Sequence, residues 1–333
     1  MRICYIYREK EKNEHSIEYV FDTVASEMQK RGHDIHKWYK PVSWIKTFTD
    51  IRELRKQNFD IYHITGDVYY LWFFFPWSKT TMTVHDIGCW KNHPFRWVIL
   101  LLVVIPIFLA SWFLKGITCV SDLTKGDLEN MLHIRPNKLK TIFNPLSLPV
   151  KRCDKTFNTE CPRILQIGTG DHKNLIGLIE AVKGLKCKID IVGNPTNELI
   201  NKMKQYGEDY SISYRIPLEE VVRHYEECDI LYFVSRSEGF GMPIIEAQSV
   251  GRPVLTTLTE PTRTVAGGAA LLYSEDDYSG IRAGIQSIIN DAKLRERLID
   301  AGFSNAANYS PKAITDQYED FYRNNIIYIN PHK

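Results

Sequence analysis

The 333-residue sequence has no Asp-x-Asp cluster, no C-x-x-C pair and no G-x-G-x-x-G run. Without the first, the sequence offers no such cluster to bind a divalent cation, and neither a metal nor a resident cofactor is expected. The second absence, with an odd total of seven cysteines, removes zinc ribbons and a disulfide framework. Cys4, Cys119 and Cys187 lie in or beside apolar runs, as buried reduced thiols do. The third absence speaks against a dinucleotide oxidoreductase. Gly168-Thr169-Gly170 follows an apolar run, but Asp171-His172-Lys173 stands where the third glycine is needed. Net charge is also scarce, at +2, which argues against a nucleic-acid partner. The start, MRICYIY, turns polar at once in REKEKNEHS and does not read as a secretory signal. A cytoplasmic, reducing location is the expectation.

The length exceeds the roughly 250–300 residues that one core sustains, so two domains are expected. Both halves open alike. Apolar runs at 3–7 and 164–168 read as first strands. Ile17, Val20, Phe21, Val24, Ala25 and Met28 then keep helical period in the first half, and Leu175, Leu178, Ile179, Val182 and Leu185 in the second. Further strands are read at 33–38, 61–64, 81–85, 117–121 and 140–143, then at 189–193, 229–234 and 253–256. The alternation of strand and helix implies an α/β chain of two Rossmann-like domains, with parallel sheets and a crevice at their carboxyl ends. The boundary falls in 144–162, which holds Pro145, Pro149 and Pro162. Residues 1–150 carry 20 Lys and Arg against 15 Asp and Glu, whereas 151–333 carry 22 against 25. A basic first half suits an anionic membrane or a phosphate-bearing acceptor.

Residues 97–114, WVILLLVVIPIFLASWFL, carry no charge. Their length approaches the ~20 residues of a spanning helix. The segment lies, however, between strands ending at 85 and starting at 117 that should share one sheet, and Pro106 interrupts it. A crossover helix pair at a membrane surface keeps the sheet whole, with Arg96 and Lys115 meeting lipid phosphates. A wholly buried core helix is the other reading, so spanning, interfacial and buried placements all stay open.

The most informative stretch is 236–253, RSEGFGMPIIEAQSVGRP. It follows an apolar strand, and Pro243 suits the first turn of a helix. Gly239 and Gly241 allow close backbone approach, and the amides of Phe240 to Met242 would face an anion at the helix start. Glu238 in the loop and Glu246 in the helix form a carboxylate pair suited to sugar hydroxyls, which donate O–H. Taken alone, the same string also fits a plain helix start with Glu246 on a solvated face.

The whole string resembles the donor-site signature of retaining nucleotide-sugar glycosyltransferases of family 4, which have the GT-B fold. E-G-F-G-x-P-x-x-E-A followed by G-x-P-V carries the resemblance, with Glu238 and Glu246 in E-x7-E spacing. Lys173-Asn174 after Ile167-Gly168, Val192-Gly193 and 264–272 extend it. Thr83-Val84-His85-Asp86, Val120-Ser121 and Asn144-Pro145 extend it more weakly into the first half. The resemblance implies an acceptor-side domain at 1–150, a donor-binding domain at 151–310, and a helix in 311–333 crossing back to the first. It implies that Glu246 holds the ribose and Glu238 the transferred sugar. His85, Lys173 and Glu238 would be the catalytic residues. Gly168, Thr169, Lys173, Asn174, Gly193, Arg215, Glu238, Gly239, Phe240, Gly241, Met242 and Glu246 would bind the donor. His15 and Asp86 would lie on the acceptor side. Two departures stand out. Thr169 and Gly168 occupy the positions where the family often has an arginine partner for Lys173, leaving Arg215 or Arg236 to supply it. No glycine follows the first strand between Tyr7 and Ile17.

The implied activity is transfer of a hexosyl group from a nucleotide-diphosphate sugar to a hydroxyl of a glycan or lipid-linked glycan, in cell-surface polysaccharide assembly. Peripheral contact with the inner face of the cell membrane would come through 97–114. Rival readings are a non-catalytic partner subunit of the same fold and another nucleotide-sugar enzyme such as an epimerase.

Overall fold

The computed structural model describes residues 1–9, 16–87 and 96–327. The chain forms two compact units. One comprises Met1–Ser147 with Ser310–Lys333, and the other comprises Leu148–Tyr309.

The first unit is built on a six-stranded sheet in the order β2-β1-β3-β4-β5-β6. Its strands are β1 (Arg2–Tyr7), β2 (Asp34–Tyr39), β3 (Ile61–Ile64), β4 (Thr80–Val84), β5 (Ile117–Cys119) and β6 (Leu139–Thr141). Every pairing is parallel. Strands β1, β3 and β4 are buried on both faces, as a parallel sheet under two helical layers requires, with the threonines of β4 among the buried residues. Helices α1 (Ser16–Lys30) and α2 (Trp44–Lys56) supply two crossovers.

The 97–114 segment is a single helical run rather than a pair. It comprises α3 (Arg96–Ile99), a π-helical turn (Leu100–Val104) and α4 (Ile105–Phe113). Pro106 lacks an N–H, and its ring crowds the preceding turn. The widened turn makes that room, with the Ile105 N–H bonding to the Leu100 carbonyl, so the helix continues past the proline. No helix among the described residues is long and apolar enough to cross a membrane. Helix α5 (Asp122–Leu132) completes this part, capped by Ser121, whose side chain accepts from the Thr124 N–H.

The second unit repeats the scheme in the order β12-β11-β10-β7-β8-β9, again all parallel. Its strands are β7 (Arg163–Ile167), β8 (Lys188–Val192), β9 (Asp209–Ser213), β10 (Ile230–Phe233), β11 (Val254–Thr257) and β12 (Leu271–Tyr273). Helices α6 (Leu175–Val182), α7 (Asn197–Tyr206), α8 (Leu218–Glu227), α9 (Met242–Val250), α10 (Thr262–Ala266), α11 (Tyr278–Asn290) and α12 (Ala292–Ala307) cover it. The last helix, α13 (Pro311–Phe321), returns to the first unit. The six described cysteines are all unbridged; burial pushes the Cys119, Cys187 and Cys228 thiols up to about 12. Cys89 lies outside the described residues.

Candidate active site

In the second unit the informative residues gather at the carboxyl ends of β7 and β10, neighbours at the middle of the sheet. Gly168 leaves β7 with φ +84, and a Cβ there would stand 3.1 Å from the Lys173 side chain. That positive φ explains the glycine. Gln166 fixes the loop from beneath, its amide donating to the Gly168 and Lys173 carbonyls at 3.0 and 3.1 Å. Asn174, at φ 53, caps α6: its Oδ1 accepts from the Gly177 N–H. Its Nδ2 donates to the Val234 and Glu275 carbonyls at 3.1 and 2.8 Å. Asn174 is buried, and its side chain joins the β7 loop to the β10 loop.

That junction delivers Lys173 to Glu238. Nζ lies 2.6 Å from Oε1, with the two side chains 20% and 11% exposed. The ammonium also stands 4.9 Å above the Phe233 ring. An ion pair with so little water around it is stronger than a surface pair and more costly to break. Beyond Glu238 the chain turns through Gly239 to Gly241, which has φ +114 and leads into α9 with no side-chain cap. The first amides of α9, beginning at Met242, therefore have no side-chain acceptor, the condition for anion binding at a helix start. The Phe240 ring is buried, edge-on to Tyr309 at 5.9 Å, so the residue can offer a ligand its backbone only. Glu246, one turn into α9, is half-buried and accepts from the Tyr225 hydroxyl at 2.5 Å. Burial pushes its carboxyl up to about 7, while the Tyr225 hydrogen bond pulls the other way.

A cavity of about 320 Å³ opens beside this loop, lined among others by Thr169, Gly170, Asp171, Thr196, Leu199 and Arg236. Gly193 borders Thr169 closely: a Cβ would fall 2.6 Å from Thr169 Cγ2. Thr169 Oγ1 accepts from the Asn194 N–H. Arg236 is bound to the β7 loop through its N–H, which donates to the His172 carbonyl at 2.7 Å, and its guanidinium meets Asp276 at 2.8 Å. Arg215, by contrast, is exposed beyond edge strand β9, 5.1 Å from the Tyr214 ring. Of the two arginines named from sequence, Arg236 is the one the fold brings to the cavity. Tyr225 and Gln166 were missed. Tyr225 lies 21 residues from Glu246, and a lone tyrosine in an amphipathic helix gives no signal of its own. Gln166 lies close to its partners, but a single polar residue inside a strand run does not announce that its amide turns to the loop.

In the first unit, His85 follows β4. Its Nε2 lies 2.7 Å from the Thr65 carbonyl, which only accepts, so Nε2 carries the proton and Nδ1 keeps its lone pair. Burial holds the imidazole below its ordinary range, against the opposing pull of Thr65. Gly66 permits the approach, since a Cβ there would stand 3.0 Å from His85 Cδ2. Asp86 is exposed. His15 lies outside the described residues.

Residues 150–304 match the family model described as "Glycosyl transferases group 1". The chain is 26% identical over 218 residues to the amylovoran biosynthesis glycosyltransferase AmsD of Erwinia amylovora, covering 64% of this chain and 58% of that protein. It is 29% identical over 150 residues to the capsular polysaccharide biosynthesis glycosyltransferase CapM of Staphylococcus aureus, covering 42% and 38%. The chain thus spans little more than half of the first relative and less than half of the second. HepE of Anabaena, solved in complex with UDP and glucose, superposes with TM-score 0.74 at 13% identity, over 97% of this chain and 99% of HepE. A glycosyltransferase from Rickettsia africae gives 0.74 at 16%, over 98% and 99%. The fold is therefore α/β of the GT-B type. The domain match and the glycosyltransferases among the relatives support a transferase enzyme.

Proposed function

We propose that the chain transfers a hexosyl group from a nucleotide-diphosphate sugar to a hydroxyl of a glycan or lipid-linked glycan, with retention of anomeric configuration, in polysaccharide biosynthesis. The carrying observation is the Lys173–Glu238 pair at 2.6 Å beside the uncapped start of α9. Lys173 neutralises the diphosphate as negative charge grows on it, and Arg236 from the cavity wall takes the place of the family's usual arginine. The first amides of α9 act on the same charge, preorganised and partly shielded from water. Glu238 exchanges its lysine contact for hydroxyls of the transferred sugar. Glu246, held by Tyr225, accepts from the ribose hydroxyls. His85, neutral with Nδ1 unprotonated, accepts from a hydroxyl of the same sugar. In a front-face reaction the departing phosphate oxygen helps take the acceptor proton, so no carboxylate pair of the glycosidase kind is needed. The proposal includes no metal: cationic side chains and amides do the charge work. Contact of 97–114 with the inner face of the cell membrane would bring the first unit to a lipid-linked acceptor.

The test is thermal stabilisation by UDP-, GDP- and ADP-sugars with chelator present. UDP-sugars come first, because HepE was solved with UDP. A shift with one nucleotide supports the donor site and names the base. No shift with any of them, from folded protein, overturns the reading in favour of a non-catalytic relative.

A further inference from the structure

The outer face of helical run 96–113 is apolar where a helix on a water-soluble surface would be polar. Its inner face buries Val104, Ile107 and Ala110. Its outer face leaves Leu101 62% exposed, and Leu102, Ile105, Phe108 and Leu109 exposed beside it. Trp97 and Trp112 close its two ends, at 67% and 69% exposure. Period and position both mark this as a second apolar stripe and not as stray surface residues.

The stripe also continues beyond the helix. Phe113 meets Trp77 at 4.6 Å, Trp77 meets Phe73 at 6.3 Å, and Phe73 meets Phe74 at 5.9 Å. Phe74 meets Phe48 of α2 at 5.2 Å, which in turn meets Trp44 at 5.9 Å. Ile45, between them in sequence, is 81% exposed. Three segments far apart in sequence thus share one apolar surface on the first unit.

Charge and residue type decide what covers it. Residues 87–121 contain no Asp or Glu. Lys46 is exposed beside Ile45, and Lys40 stands 5.2 Å above the Trp44 ring. Beside Trp112 a depression of about 340 Å³ is lined by Ser111, His133, Ile134 and Arg135. Tryptophans at the margin, aliphatic residues in the middle and cations around them match the layers of a bilayer surface: headgroup boundary, acyl chains and anionic phosphates. A second copy of this chain would instead set one basic margin against another.

We propose that this face, from Trp44 through Trp77 to Trp112, docks the first unit on an anionic phospholipid bilayer, with run 96–113 lying in the plane of the interface. The proposal deepens the membrane contact in the reading above by adding α2 and the 69–77 segment to it. It is tested without sugar transfer, so either reading can fail alone.

The whole chain is sedimented with vesicles of phosphatidylglycerol and phosphatidylcholine, and with phosphatidylcholine alone. Salt-sensitive binding to the anionic vesicles is expected. The triple variant Leu101→Ser, Ile105→Ser, Leu109→Ser should weaken it at least ~10-fold, because apolar burial carries interfacial anchoring. Ile45→Ser with Phe48→Ser should weaken it several-fold, which 97–114 acting alone would not give. Quenching of tryptophan emission by brominated acyl chains needs no variant and should occur with wild-type protein. Wild-type chain that neither sediments nor is quenched overturns the proposal. So does binding indifferent to both sets of substitutions, or a dimer lost with the triple variant while vesicles stay unbound.

Discussion

At the scale of single residues, Glu246 is the most informative group, because its chemistry and its stability cost point in opposite directions. A carboxyl in an unfolded chain titrates near 4.5, whereas burial raises Glu246 to about 7. Below pH 4.5 both states hold the proton and nothing is lost. Between 4.5 and 7 the unfolded chain has released it while the fold retains it, so stability falls as pH rises through that window and levels off above it. Glu246→Gln cannot ionise, and its melting temperature without ligand should gain on wild type between pH 5 and pH 8. Nucleotide affinity should move the other way, with wild type binding more tightly as the carboxylate forms and the variant losing about 1.5–3 kcal/mol at pH 8. Calorimetry showing equal affinity at pH 8 would remove the ribose contact. Tyr225→Phe deletes the hydrogen bond that lowers Glu246, so the pH at which affinity rises should shift upward. At the other carboxylate, Lys173→Met should cut kcat about 100-fold or more, as loss of one preorganised charge donor does, provided the donor still binds. A kcat near wild type would show that the diphosphate is neutralised elsewhere, with Arg236 the first place to look.

At the scale of elements, legibility followed the length and apolar content of each strand. Among the described residues ten of twelve strands were readable, the central ones such as β1 and β10 as apolar runs, because parallel strands between helical layers are buried on both faces. The two not read, β9 and β12, are the edges of the second sheet. Strand β9 reads DYSIS, only partly buried, and β12 has three half-buried residues, so neither carries a run that stands out. The loops were legible for a different reason. Gly168 and Gly241 sit at positive φ that side chains resist, so glycine there reports geometry and not mere composition. Gly241→Ala should therefore cost about 1–3 kcal/mol of stability as backbone strain. It should also weaken donor binding, since the new Cβ would press on Ile244 at 3.2 Å where α9 begins. A chemical denaturation curve matching wild type would mean that the α9 start tolerates ordinary backbone. Helix run 96–113 shows the reverse limit: hydropathy announced it, but only packing separates Val104 and Ile107, which are core, from Leu101 and Ile105, which face out.

At the scale of the whole molecule, the C-terminal return is the feature that sequence period could least justify. Its residues gain meaning only from partners hundreds of positions away. Ile314, Tyr318, Phe321 and Tyr322 are buried in one cluster with Ile3, Tyr5, Phe21 and Ile61. Inside it His63 is wholly buried, with Nδ1 2.6 Å from the Tyr322 hydroxyl and Nε2 2.7 Å from Thr83 Oγ1. Burial lowers the His63 imidazole to about 3, with His85 adding in the same direction. The unfolded chain therefore binds a proton near 6.5 that the fold refuses. The first unit keeps its full stability above that pH and loses it as pH falls from 6.5 towards 3. On the rim, Arg31 reaches Asp316 and Glu319 at 2.7 and 3.1 Å. Tyr322→Phe would leave a buried imidazole nitrogen without its partner, at about 1–3 kcal/mol, and should move acid unfolding to higher pH. Removing 310–333 would expose the whole cluster, and the first unit should then lose its near-ultraviolet circular dichroism while nucleotide still stabilises the second. If the truncated chain instead keeps that spectrum and its acid midpoint, the first sheet closes its own core and the returning helix is an accessory to it.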